Sequence, residues 1–244
     1  MQTRTDDEVV AQEGEAEKGL VIERRFTTAG ADPFDAFDWI EMSVEIRNPD
    51  GSLAHEIHGV QLPSGFAGVP GKVCAQKYLR KAGVPAALRK VAEDGVPAWL
   101  QRSEPDHEKL QTLAPEDRFV GETDGRELFR RLAGTWTYWG WTHGYFASEA
   151  DARAFYDEMA YLIASQRSAP NSPQWFNTGL NWAYGITGPA QGHHYVDAVT
   201  GELNLSEDAY THPQPHACFI QSVGDSLVGG TESIMGLWNR DCLL

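Results

Sequence analysis

The sequence predicts an α+β fold in which a β-hairpin precedes a mainly helical region. Residues 40–46 alternate between apolar and polar side chains, as a strand with one buried face does. Between residues 149 and 167, apolar side chains recur every three to four positions, which is typical of a helix packed on one side. Residues 171–217 lose this period and are rich in Gly, Pro, Asn and aromatic side chains. We interpret that last segment as an ordered, ligand-facing loop.

Composition narrows the class of protein. Of the 244 residues, 41% are hydrophobic and 23% are charged, as in ordinary globular domains. No apolar run approaches the ~20 residues that span a bilayer, and the N-terminus lacks the apolar core of a secretory signal, so we expect a cytoplasmic protein with no membrane partner. The net charge of −15 argues against binding in a nucleic-acid groove, which requires a basic surface.

The cysteines give no sign of a disulfide framework. Cys74, Cys218 and Cys242 are odd in number and far apart in the sequence. Such usage fits a reducing compartment. Each cysteine, taken alone, is expected to be a small buried apolar side chain.

The chain divides into four predicted units. Residues 1–22 are acidic and poor in aromatic side chains, so we expect a disordered leader. Residues 23–118 form an N-terminal domain, residues 119–216 a helical region that ends in the ligand-facing loop, and residues 217–244 the start of a further domain.

A hairpin begins the N-terminal domain. Ile40, Met42 and Val44 share one face of the first strand, the turn is Asn48–Gly51, and the second strand covers residues 53–62. Two short helices, at 74–83 and 85–95, are each expected to end at a glycine.

Residues 102–118 are polar and contain two prolines, so they are expected to form a linker. Asp124 and Glu127 then predict a capping box at the start of a helix. The aromatic segment 135–146 is interpreted as core rather than as a platform for bases, because it carries no Lys or Arg.

Ser148 is expected to cap a second helix that extends to Arg167 and is ended by Pro170. A small hairpin is predicted to turn at residues 199–202. The last unit is expected to contain a buried strand at 218–223 and a helix from about Thr231. The uncapped end on two leucines suggests that this unit is incomplete.

Three short motifs carry the functional hypothesis: Asn171-Ser172-Pro173, Ala217-Cys218 and Asp225-Ser226-Leu227. Each alone is weak. In this order, within RSAPNSPQWFNTGL, GPAQGHHYVDAVTGEL and HPQPHACFIQSVGDSL, they resemble the adenosylcobalamin-dependent (class II) ribonucleotide reductases. The resemblance covers about residues 24–241. It implies that residues 217–244 are the first strand and helix of a truncated α/β barrel.

The resemblance implies a role for each motif. Ser172 would hold the phosphates of a ribonucleotide substrate, and Ala217 and Cys218 would line the ribose pocket. Cys218 would be the catalytic residue, as one of two thiols that supply electrons to a ribonucleoside-diphosphate reductase. A deoxynucleoside triphosphate effector would be contacted by Asp225, Ser226 and Leu227.

The family's other partners lie outside these motifs. The resemblance implies that adenosylcobalamin binds to a missing C-terminal part, that a thioredoxin-like protein is the reductant, and that the complete enzyme can form a homodimer. The second redox cysteine, the radical cysteine and its acid are also expected outside the chain.

Two alternatives remain at the level of sequence. His212, His216 and Cys218, with His193 and His194 nearby, are residue types that bind zinc. They include neither a Cys-x-x-Cys pair nor histidines on one helical face, so no metal site is predicted. The second alternative is a non-catalytic binding or assembly module. Metal analysis and the gene sequence beyond codon 244 separate these alternatives from the enzyme.

Overall fold

The structure is a computed structural model that describes residues 19–217 and 222–241. For residues 46, 47, 54, 55, 240 and 241 it describes the backbone only. Its strands are β1 (Trp39–Arg47), β2 (Leu53–Pro63), β3 (Val84–Pro85), β4 (Leu88–Lys90), β5 (Ser103–Pro105), β6 (Phe119–Val120), β7 (His194–Val196) and β8 (Leu203–Leu205). Its helices are α1 (Val69–Val73), α2 (His107–Thr112), α3 (Gly125–Thr142), α4 (Glu149–Ala164), α5 (Ser172–Asn177), α6 (Leu180–Tyr184) and α7 (Ile234–Asp241).

The predicted first hairpin is confirmed. Strands β1 and β2 pair antiparallel, with a register shift after Met42, and Gly51 has the positive φ of 84° that the turn requires. The apolar side chains of Val44, Val60 and Leu62 are buried. They face α3, so the hairpin and this helix share one core.

Helices α3 and α4 form the centre of the molecule. The capping box at Asp124 and Glu127 is present at the start of α3, and the Ser148 side chain accepts from the backbone N–H of Asp151 at the start of α4. Helix α4 ends at Ala164, three residues before the predicted end, and Gln166 follows with a φ of 58°. The helices pack through small and aliphatic side chains.

The aromatic segment 135–146 is not a simple core element. Its fully buried positions are Thr135, Thr137 and Gly140, whereas the tryptophans between them are only half-buried. The small residues of α3 leave room for aromatic rings that other residues place against the helix. A Cβ on Gly134, the residue just before this segment, would lie 2.2 Å from the Trp182 ring of α6. The Phe146 ring lies in the same way against Gly140.

Two expectations for residues 74–118 are wrong. A π-helical turn at Cys74–Tyr78 continues α1, but the second predicted helix, 85–95, contains β4, which pairs with β5. The predicted linker 102–118 contains β5 and α2, and β6 follows it directly. Long-range strand pairing outweighs the local helical pattern here.

The ligand-facing segment 171–217 holds more regular structure than predicted, namely α5, α6 and the hairpin of β7 and β8. The predicted turn of that hairpin is confirmed, with Gly201 at a φ of 73°. Of the predicted strand 218–223, residues 218–221 lie outside the described residues, and Ser222 and Val223 are not in a strand.

In the described residues every sheet has two strands, so the α+β class is compatible with the structure, and no closed barrel is present in this part of the chain. Of the predicted leader, residues 1–18 lie outside the described residues. Leu20 exchanges backbone hydrogen bonds with Tyr145 and Ala147, and the Ile22 N–H donates to Asp151. Residues 20–22 are therefore part of the fold and not of a disordered leader.

Candidate functional site

A buried ion pair organises the region around the first functional motif. Arg131 of α3 and Glu122 are each almost fully inaccessible to solvent. The Arg131 Nε donates to Glu122 Oε1 at 2.7 Å, and its Nη2 lies 3.3 Å from Oε2. Because a buried charge without a partner is costly, both groups must be satisfied together.

The remaining donors of Arg131 bind backbone carbonyls of the motif region. Nη1 donates to Thr178 O at 2.7 Å, and Nη2 donates to Trp175 O at 2.9 Å. These carbonyls lie at the end of α5, whose first residue is Ser172. Gly179 follows with a φ of 87°, and a Cβ there would lie 2.5 Å from Arg131 O, so only glycine fits.

Glu122 completes the network on its other side. It accepts a hydrogen bond from the hydroxyl of Tyr184 in α6 at 2.8 Å and from the backbone N–H of Arg80 at 2.7 Å. Burial raises the pKa of Tyr184, and the negative charge of Glu122 raises it further. The phenol therefore stays neutral and donates, which fixes α6 relative to α3.

Ser172 itself is exposed at the start of α5. Three hydrogen bonds hold this helix. Arg131 Nη2 donates to Trp175 O, and Trp136 Nε1 donates to Gln174 Oε1. Trp175 Nε1 donates to Pro170 O, just before the helix. The hydroxyl of Ser172 is thus accessible on a rigidly held backbone, which is what a group that binds a phosphate needs.

An apolar cavity of about 430 Å³ lies beside the Ser168–Pro170 segment that leads into α5. Cys74, Tyr78 and Trp175 are among the residues that line it. Burial raises the pKa of Cys74 to about 12, so its sulfur remains a thiol at neutral pH. A thiol of this kind is a poor nucleophile and a poor electron donor.

A second cavity, of about 540 Å³, is lined by Trp139 and by five histidines: His143, His193, His194, His212 and His216. The His212 ring stacks on Tyr195 at 3.6 Å. Desolvation lowers the pKa of His212, and the nearby His193 adds to this. Within residues 19–217 and 222–241 no group of three or more His, Cys, Asp or Glu side chains is arranged to hold a metal ion.

The other predicted site residues lie apart from Ser172. Ala217 is exposed and follows His216, which lines the histidine-rich cavity. Cys218 and Cys242 lie outside the described residues. Residues 225–227 are exposed in a turn before α7, where Ser226 O accepts from the backbone N–H of Ile234 and Leu227 O accepts from that of Met235.

The motif residues predicted from the sequence are exposed where the structure describes them, and the buried network behind Ser172 was not predicted. The signal for Arg131 was a charge on the face of α3 that also carries Leu128 and Leu132. The signal for Glu122 was weaker, since an acidic residue before a helix is ordinarily a cap. Nothing in the sequence indicated that Tyr184 would join them.

The family can now be assigned. A family model described as class II vitamin B12-dependent ribonucleotide reductase matches residues 40–166. The chain belongs to this family. The matched segment contains the first hairpin, α3, α4 and the Glu122–Arg131 pair, so the resemblance noted from the motifs is confirmed by a different part of the chain.

Individual class II reductases are similar over nearly the whole chain. The vitamin B12-dependent ribonucleotide reductase of Bradyrhizobium diazoefficiens is 56% identical over 225 residues, and that of Agrobacterium fabrum is 55% identical over the same length. A more distant relative, from Rhodopirellula baltica, is 27% identical over 227 residues. The aligned regions cover 91% to 93% of this chain and 18% of each relative.

Two further findings bear on the earlier expectations. The names of these relatives agree with the expected ribonucleotide reductase family and with the expected link to cobalamin. Among the described residues, none of the helices combines the length and the apolar character needed to cross a bilayer.

Proposed function

We propose that this chain provides part of the substrate and effector sites of an adenosylcobalamin-dependent ribonucleotide reductase. The observation that carries the proposal is the 56% identity to the Bradyrhizobium diazoefficiens enzyme across 91% of the chain. The proposed reaction replaces the ribose 2′-hydroxyl of a ribonucleoside diphosphate by hydrogen, for DNA synthesis and repair.

The electron balance of this reaction gives Cys218 its role. Loss of the 2′-hydroxyl as water and gain of hydrogen require two electrons and two protons. Two thiols supply both when they close to a disulfide. Cys218 is one of these thiols in our proposal, and its partner lies outside the 244 residues. A thioredoxin-like protein then reduces the disulfide by thiol exchange.

Ser172 is proposed to bind the substrate phosphates through its hydroxyl and its backbone. Support comes from its exposure and from the Arg131 contacts that fix α5. Hydrogen bonds to a charged phosphate are stronger than neutral ones, so a single well-placed hydroxyl has a measurable effect. Ala217 would lie against the ribose, where a larger side chain would obstruct the sugar.

Asp225, Ser226 and Leu227 are proposed to contact the deoxynucleotide effector, with the Asp225 carboxylate accepting from the sugar hydroxyl. Asp225 lies seven positions after Cys218, and a fully extended chain spans at most ~23 Å over that length. At full extension a single nucleotide would not contact both residues. We propose that substrate and effector bind separately and are coupled through the intervening segment.

Substituting Asp225 tests the effector role. We expect Asp225→Ala, in a protein that joins this chain to the rest of the reductase, to reduce the effector-induced change in substrate preference about five- to 150-fold, the usual range of allosteric coupling. Basal reduction without effector should change little. Rates on several ribonucleotides, with and without each deoxynucleoside triphosphate, measure both. Loss of basal activity with a full effector response would contradict the assignment.

Cobalamin is proposed to bind outside this chain. When bound, it supplies the radical that begins the reaction. The two cavities beside the motifs, of about 430 and 540 Å³, are nearer in size to a nucleotide than to a corrin with its nucleotide tail, which supports this proposal.

Reconstitution tests the function directly. The 244-residue chain would be joined to the remainder of the Bradyrhizobium diazoefficiens reductase and assayed for dithiol-dependent reduction of ribonucleoside diphosphates and triphosphates with adenosylcobalamin. We expect turnover by the joined protein and none by the 244-residue chain alone. The proposal fails if the joined protein folds and binds effector but is inactive under conditions in which the Bradyrhizobium enzyme turns over.

A further inference from the structure

The hairpin formed by β7 and β8 is amphipathic, and its apolar face is exposed to solvent. Val196 pairs with Leu203, and His194 pairs with Leu205, so these four side chains share one face. Val196, Leu203 and Leu205 are 64%, 68% and 57% exposed. The opposite face, with Tyr195 and Asn204, is half-buried against the protein.

An isolated two-stranded hairpin is marginally stable and ordinarily packs its apolar face against another element. Val199 in the turn is also apolar and is 90% exposed. Exposed apolar side chains grouped in one element indicate an interaction site in a folded protein. The Asp197 carboxylate accepts from the backbone N–H groups of Val199 and Thr200, so the turn that presents this surface is well ordered.

Within the segment that carries the hairpin, the Lys, Arg, Asp and Glu side chains are of one sign. Residues 168–239 contain no lysine and no arginine. The same stretch carries six carboxylates: Asp197, Glu202, Glu207, Asp208, Asp225 and Glu232. Glu202 and Glu207 are exposed next to the strands. A complementary surface would therefore have an apolar centre and basic side chains at its rim.

The relatives indicate which protein supplies that surface. The aligned regions make up 18% of the Bradyrhizobium and Agrobacterium reductases, so more than four fifths of each relative has no counterpart in these 244 residues. We propose that the exposed face of the β7–β8 hairpin docks onto that remaining part of the reductase, on an apolar patch rimmed by lysine or arginine. The inference uses family membership and not the proposed chemistry.

Binding between the two parts tests the proposal. The remaining part of the Bradyrhizobium reductase, expressed separately, would be titrated with the 244-residue chain by calorimetry. We expect Val196→Thr combined with Leu203→Thr to weaken binding at least about tenfold, since threonine retains β propensity but removes apolar contact. Val69→Thr is the matched control, because Val69 is 72% exposed and lies on α1. Raising the salt concentration should weaken binding further if the rim is basic.

Two outcomes would overturn the proposal: equal binding by wild type and the double variant, or dimers of the 244-residue chain alone that the double variant abolishes. If the separate parts do not associate, hydroxyl-radical labelling of the joined protein and of the 244-residue chain tests the docking instead. Leu203 and Leu205 should be labelled several-fold less in the joined protein than in the 244-residue chain. Equal labelling would contradict docking even if the joined protein reduced ribonucleotides, and protection without activity would leave docking intact while the proposed function failed.

Discussion

The hairpins β1–β2 and β7–β8 have the same alternation of apolar and polar side chains, but only the first has its apolar face covered. In β1 and β2, the apolar face is covered by α3, and Val44, Val60 and Leu62 are at most 1% exposed. In β7 and β8, the apolar face is in solvent. Alternation of polarity in the sequence indicates which side chains share a face, but only the neighbouring elements decide whether that face is covered.

The difference extends to the regions around the hairpins. The first hairpin belongs to a part of the chain that contains its own core and a buried ion pair. The second lies in the part that carries the proposed chemistry, where the motif residues are exposed. We therefore expect substitutions in the part that contains β1, β2 and α3 to change stability. Substitutions of the exposed motif residues should change activity without unfolding the chain.

The largest effect is expected at Cys218. In the joined reductase, Cys218→Ser should abolish multiple turnover, because a hydroxyl cannot form the disulfide that supplies two electrons. Radical formation and the unfolding midpoint should not change. Cys74→Ala is the control and should leave the rate nearly unchanged, since the buried Cys74 has a pKa of about 12 and does not ionise at neutral pH. If turnover depends on Cys74 and not on Cys218, the assignment is reversed.

The next effect concerns stability in the first region. Arg131→Met should lower the free energy of unfolding by about 3–5 kcal/mol, because it leaves the Glu122 carboxylate buried without its partner. Urea unfolding of the 244-residue chain measures this. Arg130→Met is the adjacent control. Arg130 pairs with Asp32 but is half exposed, so its loss should cost at most about 1 kcal/mol. Similar losses of unfolding free energy for both variants would show that the buried ion pair contributes no more to stability than the exposed one.

Matched valines compare the two hairpins directly. Val60→Ala should cost about 1.5–3 kcal/mol, because it removes fully buried methyl groups and leaves a cavity. Val196→Ala should change the unfolding free energy by less than about 0.5 kcal/mol, as is usual for exposed positions. Both are measured by urea unfolding. A large loss at Val196 would mean that its face is covered within this chain.

The sequence was most informative where a local rule determines the structure. The first hairpin, its turn and the cap at Asp124 were predictable because each depends on residues close in sequence. The helix expected at 85–95 was wrong, because β4 pairs with a strand that begins 13 residues after it ends. No local pattern specifies such a partner.

The candidate site divides in the same way. Ser172 and Asp225 were predicted from motifs, and both are exposed as a ligand contact must be. The Glu122–Arg131–Tyr184 network joins three separate elements, so it could be recognised only after the chain was folded. Cys218 lies outside the described residues, and its role stays a prediction.

The smallest effect concerns the hydrogen bonds between α4 and the segment that precedes β1. Burial alone would raise the pKa of Glu158 in α4, but hydrogen bonds from the Thr27 hydroxyl and from the backbone N–H groups of Phe26 and Thr27 outweigh it and lower the pKa. A carboxyl with a lowered folded-state pKa stabilises the fold above its unfolded-state pKa, near 4.5, and loses this contribution as the pH falls through the lowered value.

Glu158→Gln should therefore cost about 1 kcal/mol at pH 7, since the amide accepts these bonds less strongly than a carboxylate. The difference between wild type and variant should shrink as the pH falls below 4.5 and disappear once the wild-type carboxyl is protonated. Urea unfolding between pH 7 and pH 3 measures this. Glu149→Gln is the control, because Glu149 is exposed on the same helix. A difference that stays constant across the pH range would mean that Glu158 acts through packing and not through its charge.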